Sequence, residues 1–92
     1  MTVTAAKTAI VKEIVLCNTG ATSRLIDIHF VPSGGSGTAT NQIRKGDTTN
    51  SPLLGGVTER IPLNTYLAAG DFVRAKQDVG TDVSIRISYV EI

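Results

Sequence analysis

The sequence has no tryptophan, only two phenylalanines and two tyrosines, and a single cysteine among its 92 residues. With so few aromatic side chains, the core has to be built from isoleucine, valine and leucine, which favour β-strands. The lone Cys17 excludes a disulfide within the chain and is expected to be a small buried hydrophobic residue. A chain of this length is expected to form a single small domain spanning residues 1–92.

A block of like charge and a long apolar run are also missing. The net charge is +1, and lysine and arginine are scattered, so the basic patch that nucleic-acid binding requires is absent from the sequence. No apolar segment approaches the roughly 20 residues of a membrane helix, and no signal peptide is recognisable at the N-terminus. We therefore expect a soluble protein, made in the cytosol, that binds neither nucleic acid nor membranes.

Apolar residues recur at a period of two along much of the chain, whereas helical periodicity is almost absent. The first two apolar runs, 8–18 and 24–32, are predicted to pair as an antiparallel hairpin, with the first run covered on both faces. The last run, 83–92, has the clearest alternation. The side chains predicted to share the core are Ile26, Ile28, Phe30, Val83, Ile85 and Ile87.

Further strand candidates are 42–44, 57–64 and 72–77, and the segment 62–69 is the one helical alternative. Pro62 indicates an edge position or a strand end, and the "DVGTD" segment at 78–82 is predicted to be a hairpin turn. The sequence therefore predicts an all-β chain. The predicted architecture is a small antiparallel β-sandwich or jelly-roll-like barrel of about six to eight strands.

A long polar segment, Pro32 to Gly56, contains a glycine-rich stretch of the kind that can bind phosphate groups. Gly35-Ser36-Gly37 follows an apolar strand, but no lysine comes next, as it does in a P-loop. Position 40 is threonine rather than the third glycine of a dinucleotide fingerprint, and no amphipathic helix follows. We therefore predict no nucleotide cofactor. A loop of this length, about 32–56, is usually functional.

His29 is the single histidine, and Asp27 is on the same face of its predicted strand. A hydrolase would need a nucleophile, and the spacing selects none of the nearby serines, Ser23, Ser33 and Ser36. The nucleophile-elbow motif is also absent. We therefore predict no catalytic site, and the chain is not expected to be an enzyme.

Metal binding has equally little support in the sequence. One histidine and one cysteine without a repeated spacing do not make a zinc site. Asp78 and Asp82 lie around a glycine, but this segment lacks the ligand density of a calcium loop. No metal site is predicted.

Several phrases of the sequence resemble those of a widespread type of small structural protein of tailed bacteriophages. They are "LCNTG" (16–20), "VPSGG" (31–35), "YLAAGDFVRAK" (66–76) and "VSIRISYVEI" (83–92), and the likeness covers about 7–36 and 61–92. The resemblance implies a virion component with a β-sandwich fold and no catalytic site. It also implies that Asn18, Gly70 and Asp71 are turn-forming residues.

Within that type of protein, the first expectation is a capsid decoration (cement) protein that binds the outer surface of the shell and stabilises it. Its partner would be the major capsid protein or another virion protein. We expect a homo-oligomer, with a trimer favoured by analogy, located in the virion. The alternative is a structural protein of the tail, baseplate or fibre, with binding of a host-surface carbohydrate as one variant.

The long loop is expected to carry the partner-binding function. Arg44 and Lys45 can bind carboxylates on a neighbouring subunit, and Leu53 and Leu54 can enter an apolar groove there. The loop has few large apolar residues, so we expect it to be mobile until a neighbour supplies contacts. The glycines at 34, 35 and 37 are expected to act as its hinge.

Overall fold

The computed structural model describes residues 1–38, 40–46, 52–78 and 80–92. In these residues six β-strands form two antiparallel sheets of three strands each, and none is helical. The strands are β1 (Ala9–Asn18), β2 (Ile26–Val31), β3 (Gln42–Arg44), β4 (Thr58–Leu67), β5 (Phe72–Gln77) and β6 (Val83–Glu91). The sheet orders are β4-β1-β6 and β3-β2-β5. The prediction of a small, all-β antiparallel sandwich is confirmed, and no described segment is a helix able to cross a membrane.

The predicted hairpin between the first two strands is wrong. β1 is the central strand of one sheet and β2 is the central strand of the other, so residues 19–25 carry the chain across the sandwich. Arg24 explains the change of sheet, because its backbone N–H and C=O both pair with Leu53 rather than with β1. The segment 78–82 likewise connects β5 to β6 in the opposite sheet, and it is not a hairpin turn.

The hydrophobic core is centred on the inward face of β1. Ala9, Val11, Ile14 and Leu16 are all fully buried there. The spacing of three between Val11 and Ile14 comes from a register shift between residues 11 and 13, which keeps both side chains inward. The other buried apolar side chains are Val3, Ile26, Ile28, Val31, Leu53, Leu67 and Val73.

The predicted core is correct for most of its members. Ile26 and Ile28 are buried, and Phe30, Val83 and Ile87 pack partly buried against the same cluster. Ile85 is the exception, with 42% of its surface exposed. Ile85 lines the open groove between β5 and β6, so part of its side chain stays exposed.

The outward face of β1 is only partly covered by the described residues, contrary to the prediction. Ile10, Val15 and Cys17 are only partly buried on this face. Ile10 lies between Tyr66 of β4 and Val90 of β6, and both of these side chains are exposed. Cys17 is therefore half-buried on the outside of the sheet rather than in the core.

The segment predicted as a possible helix, 62–69, belongs mostly to β4, and Pro62 lies in this edge strand as expected. β4 ends in a turn before β5. Gly70 has φ +83°, and the Asp71 carboxylate accepts a hydrogen bond from Ala68 N at 2.9 Å. The expectation that Gly70 and Asp71 form a turn is confirmed.

Candidate functional site

The structure separates the four residues predicted to bind a partner into two buried and two exposed side chains. Arg44, on β3, points between the sheets. Its Nε and Nη2 donate to the Glu59 carboxylate at 2.7 and 3.1 Å, and its Nη1 donates to Ile26 O at 2.7 Å. The Arg44 guanidinium is thus part of the contact between the two sheets.

Leu53 is also part of the fold, because it is 1% exposed and belongs to the core cluster. Leu54 is 53% exposed, and Lys45 is exposed at the end of β3. The partner-binding role stays a prediction, and Lys45 and Leu54 are the two members whose side chains reach the surface. Part of the predicted loop, Ala39 and residues 47–51, lies outside the described residues.

The glycine-rich stretch contacts its own domain at Gly35 and Gly37, and its role as a hinge stays a prediction. Gly35 N donates to Pro32 O at 2.9 Å, which closes a turn. A side chain at Gly37 would meet Arg74 Nη1 at 2.9 Å and His29 Cγ at 3.1 Å, so the backbone lies directly on both residues. Asn41 then holds the stretch, accepting from Thr38 N and donating to Ser36 O.

His29 lies on the outward face of β2, opposite Arg74 of β5. The nearby Asp27 carboxylate accepts hydrogen bonds from Gly46 N and from Gln42 Nε2. Among the described residues, no hydrogen bond joins Asp27 to His29. The carboxylate thus anchors the chain after β3 and does not orient the imidazole.

A polar cluster closes one end of the sandwich. The Asp82 carboxylate accepts from Arg24 Nε at 2.9 and 3.2 Å and from Gln77 Nε2 at 2.7 Å. The hydrogen bond from Arg24 lowers the pKa of Asp82, against an opposing effect of burial, and the same bond raises the pKa of Arg24. Asp78 accepts from Leu25 N at 3.1 Å.

The two aspartates considered for calcium are therefore directed at donors of the protein. In the part of the chain that the structure describes, no three histidine, cysteine, aspartate or glutamate residues come together as a metal site.

The residues that carry the sequence resemblance occupy positions that set the shape of the chain. Asn18 is fully buried, and its Nδ2 donates to Thr22 O at 2.8 Å and to Leu53 O at 2.9 Å. Its Oδ1 accepts from Gly20 N at 3.0 Å. One side chain thus shapes the turn after β1 and ties it to the distant Leu53. This confirms Asn18 as a turn-forming residue.

Asp71 connects two phrases that are far apart in the sequence. Besides Ala68 N, its carboxylate accepts from Ser33 N at 3.0 Å, so the "VPSGG" and "LAAGD" turns touch. Gly70 completes this contact, because a Cβ there would lie 2.6 Å from Ser33 Oγ.

An apolar groove opens between the sheets where β5 and β6 face each other. Its volume is about 210 Å³, and its walls are formed by Leu16, Ile26, Ala75, Lys76, Gln77, Val83 and Ile85. Sequence reasoning missed the groove, because its existence depends on β5 and β6 both being edge strands. The available signal was the alternation of apolar residues in 83–92, a segment that contains neither lysine nor proline.

Comparisons with known proteins leave the chain without an assigned family. No family model matches it, and neither a curated protein nor a solved structure is significantly similar to it.

Proposed function

We propose that the protein is a structural component of a bacteriophage virion that decorates the outer surface of the capsid. In this role it binds the major capsid protein or a neighbouring virion protein as a homo-oligomer and stabilises the shell. Its activity is binding rather than catalysis.

The observation that supports this proposal most directly is the contact of Asp71 with Ser33. It joins two of the phrases through which the sequence resembles small phage structural proteins. Another segment of the resemblance, "LCNTG" (16–20), contains Asn18, which is fully buried and ties the turn after β1 to Leu53. The resemblance is thus carried by residues that act together in one fold, and the virion role is proposed from that resemblance.

Lys45 and Leu54 are the side chains of the long segment proposed to contact the partner. Both are exposed, and they come from the two stretches that flank the undescribed residues 47–51. An exposed lysine suits a carboxylate at the rim of an interface, and an exposed leucine suits an apolar depression in it.

The test uses virions produced from the phage genome that encodes this chain. Particles lacking the protein should still form but release DNA at a lower temperature, and adding the purified protein should restore their stability. The copy number, measured by quantitative mass spectrometry, should be comparable with that of the major capsid protein. A few copies per particle, or labelling of the tail by a specific antibody, would contradict decoration and favour the tail assignment.

A pair of variants tests the proposed contact residues. The double variant Lys45→Glu/Leu54→Asp should remain folded but fail to restore particle stability. The matched control is Lys7→Glu, which changes an exposed lysine outside the segment and should restore it fully. Equal restoration by both proteins would exclude Lys45 and Leu54 from the interface.

A further inference from the structure

The four edge strands of the sandwich differ in how well they are protected against pairing with another chain. β3 has only three residues, and β4 contains Pro62. β5 carries Arg74 and Lys76, and the N-terminal segment pairs with its first residue through Thr2. Short length, proline, charge and a covering segment are the devices that keep natural edge strands from associating.

β6 is less protected, because its only charged residues are Arg86 and Glu91 and no described segment covers it. It is nine residues long, contains no proline or lysine, and has β1 as its single neighbour among the described strands. Its exposed residues include Ile85, Tyr89 and Val90, so apolar side chains reach the surface on both faces. A long apolar edge of this kind is suited to pairing with another strand.

The hydrogen bonds at the two ends of the β1–β6 ladder show which groups of β6 point outward. Thr8 and Ile92 exchange both backbone hydrogen bonds, and Thr19 N donates to Asp82 O. Since bonded and non-bonded pairs alternate in an antiparallel ladder, the even-numbered residues of β6 bond to β1. The odd-numbered ones therefore direct N–H and C=O to the open edge, as Val83 does in donating to Gln77 Oε1.

Three of these outward residues, Ile85, Ile87 and Tyr89, form a self-complementary set in antiparallel pairing. With Ile87 opposite Ile87 of a second copy, Ile85 lies opposite Tyr89, and residues of one face meet residues of the same face. Arg86 then lies opposite Ser88. Centring the pair on Arg86 would instead place two arginines opposite each other, which is destabilising.

The groove between the sheets fits the same register. Ile85 forms part of the groove wall, so Tyr89 of the second copy would lie at the mouth of the groove. Val83 and Lys76 line the same groove, and Glu91 of the second copy would lie opposite Val83. The Tyr89 ring of the second copy would then cover apolar residues of the groove, and its Glu91 carboxylate would approach Lys76.

We propose that β6 is a self-association edge, at which two copies pair antiparallel about Ile87 and join their β4-β1-β6 sheets into one six-stranded sheet. The contact is closed by a two-fold axis. This inference does not depend on the virion role. It replaces the trimer expected by analogy with a dimeric unit.

The register is tested by exchanging the facing pair Ile85 and Tyr89 for opposite charges. The single variants Ile85→Lys and Tyr89→Glu should each weaken dimerisation by about tenfold or more, because a charge then faces an apolar side chain. The double variant Ile85→Lys/Tyr89→Glu should recover most of it, since each lysine faces a glutamate of the other copy. Within one chain these positions are four residues apart along a strand and do not meet.

Sedimentation equilibrium between about 1 and 100 µM measures the association, and circular dichroism verifies that each variant is folded. The wild type should show twice the chain mass of 9.7 kDa. The matched control is Tyr66→Glu, which changes an exposed tyrosine on the opposite edge strand and should leave the dimer intact. A wild-type monomer or trimer, dissociation by Tyr66→Glu, or a double variant no better than the singles would overturn the proposal.

Discussion

Arg44 and Glu59 join the two sheets of the sandwich through a bidentate ion pair with N–O distances of 2.7 and 3.1 Å. The Arg44 side chain is 6% exposed, whereas that of Glu59 is 35% exposed. The pair closes the side of the sandwich formed by β3 and β4. On the opposite side, formed by β5 and β6, Gln77 accepts from Val83 N at 3.3 Å, and the groove opens beside this contact.

Glu59→Ala should lower the free energy of unfolding by about 2 to 3 kcal/mol, because it leaves the buried Arg44 guanidinium without its carboxylate. Water that reaches the half-exposed position 59 keeps the loss below the range of about 3 to 5 kcal/mol for a fully buried pair. Urea denaturation followed by circular dichroism measures it. The control is Arg60→Ala, which removes the exposed pair with Glu13 and should cost at most about 0.5 kcal/mol. Equal losses would show that burial does not govern the strength of these pairs.

The contribution of Asp82 to stability should depend on pH. The hydrogen bond from Arg24 lowers its pKa below the ordinary value of 3.8, so the ionised carboxylate favours the folded state. That stabilisation is present above pH 3.8 and is lost as the pH falls through the lower, folded-state pKa. Wild type should therefore be more stable than Asp82→Asn at neutral pH, with the difference narrowing below pH 3.8.

Urea titrations of both proteins at several pH values measure this difference. When Arg24 is also replaced by glutamine, the difference in stability between aspartate and asparagine at position 82 should shrink at neutral pH as well. A stability difference between wild type and Asp82→Asn that is independent of pH would contradict a role for the ionised Asp82 carboxylate.

Gly55→Ala should destabilise the protein by about 2 kcal/mol, because the added Cβ overpacks a tight backbone contact. It would lie 2.6 Å from the carbonyl carbon and oxygen of Ala21, and backbone atoms cannot move aside cheaply. The neighbouring Gly56 is a matched control, with φ +75° and open space around it, so Gly56→Ala should cost only the strain of about 1 kcal/mol. Thermal unfolding compares the stabilities of the two variants. A larger loss of stability for Gly56→Ala than for Gly55→Ala would contradict the tight contact between Gly55 and the Ala21 backbone.

An aspartate at position 28 should prevent folding, whereas one at position 85 should not. Ile28 is fully buried between the sheets, so a charge there has no partner and no water. Ile85 is 42% exposed at the groove, and Ile85→Asp should cost about 1 kcal/mol or less. The sequence alone placed both isoleucines in the shared core, which implies the same effect for both substitutions. Circular dichroism and urea denaturation of the two variants decide between these expectations.

The alternation of apolar and polar residues was sufficient to predict the strand content and most of the shared core. It placed strands at 8–18, 24–32, 42–44 and 83–92, because side chains in a strand alternate between two faces regardless of what the strand pairs with. The turn residues Asn18, Gly70 and Asp71 came from the sequence resemblance, and each makes the predicted turn. For the candidate site, the sequence singled out Arg44 and Leu53 but assigned both to the surface.

Which strands are neighbours was decided by contacts between residues distant in sequence, and local periodicity carries no information about those contacts. Leu53 pairs with Arg24 and accepts from Asn18, which draws β2 away from β1 into the opposite sheet. Arg44 is buried because β3 lies across from Glu59, and no local pattern distinguishes such an arginine from an exposed one. Ile85 and Ile87 alternate identically in the sequence, yet Ile87 packs on the core whereas Ile85 lines the groove between β5 and β6.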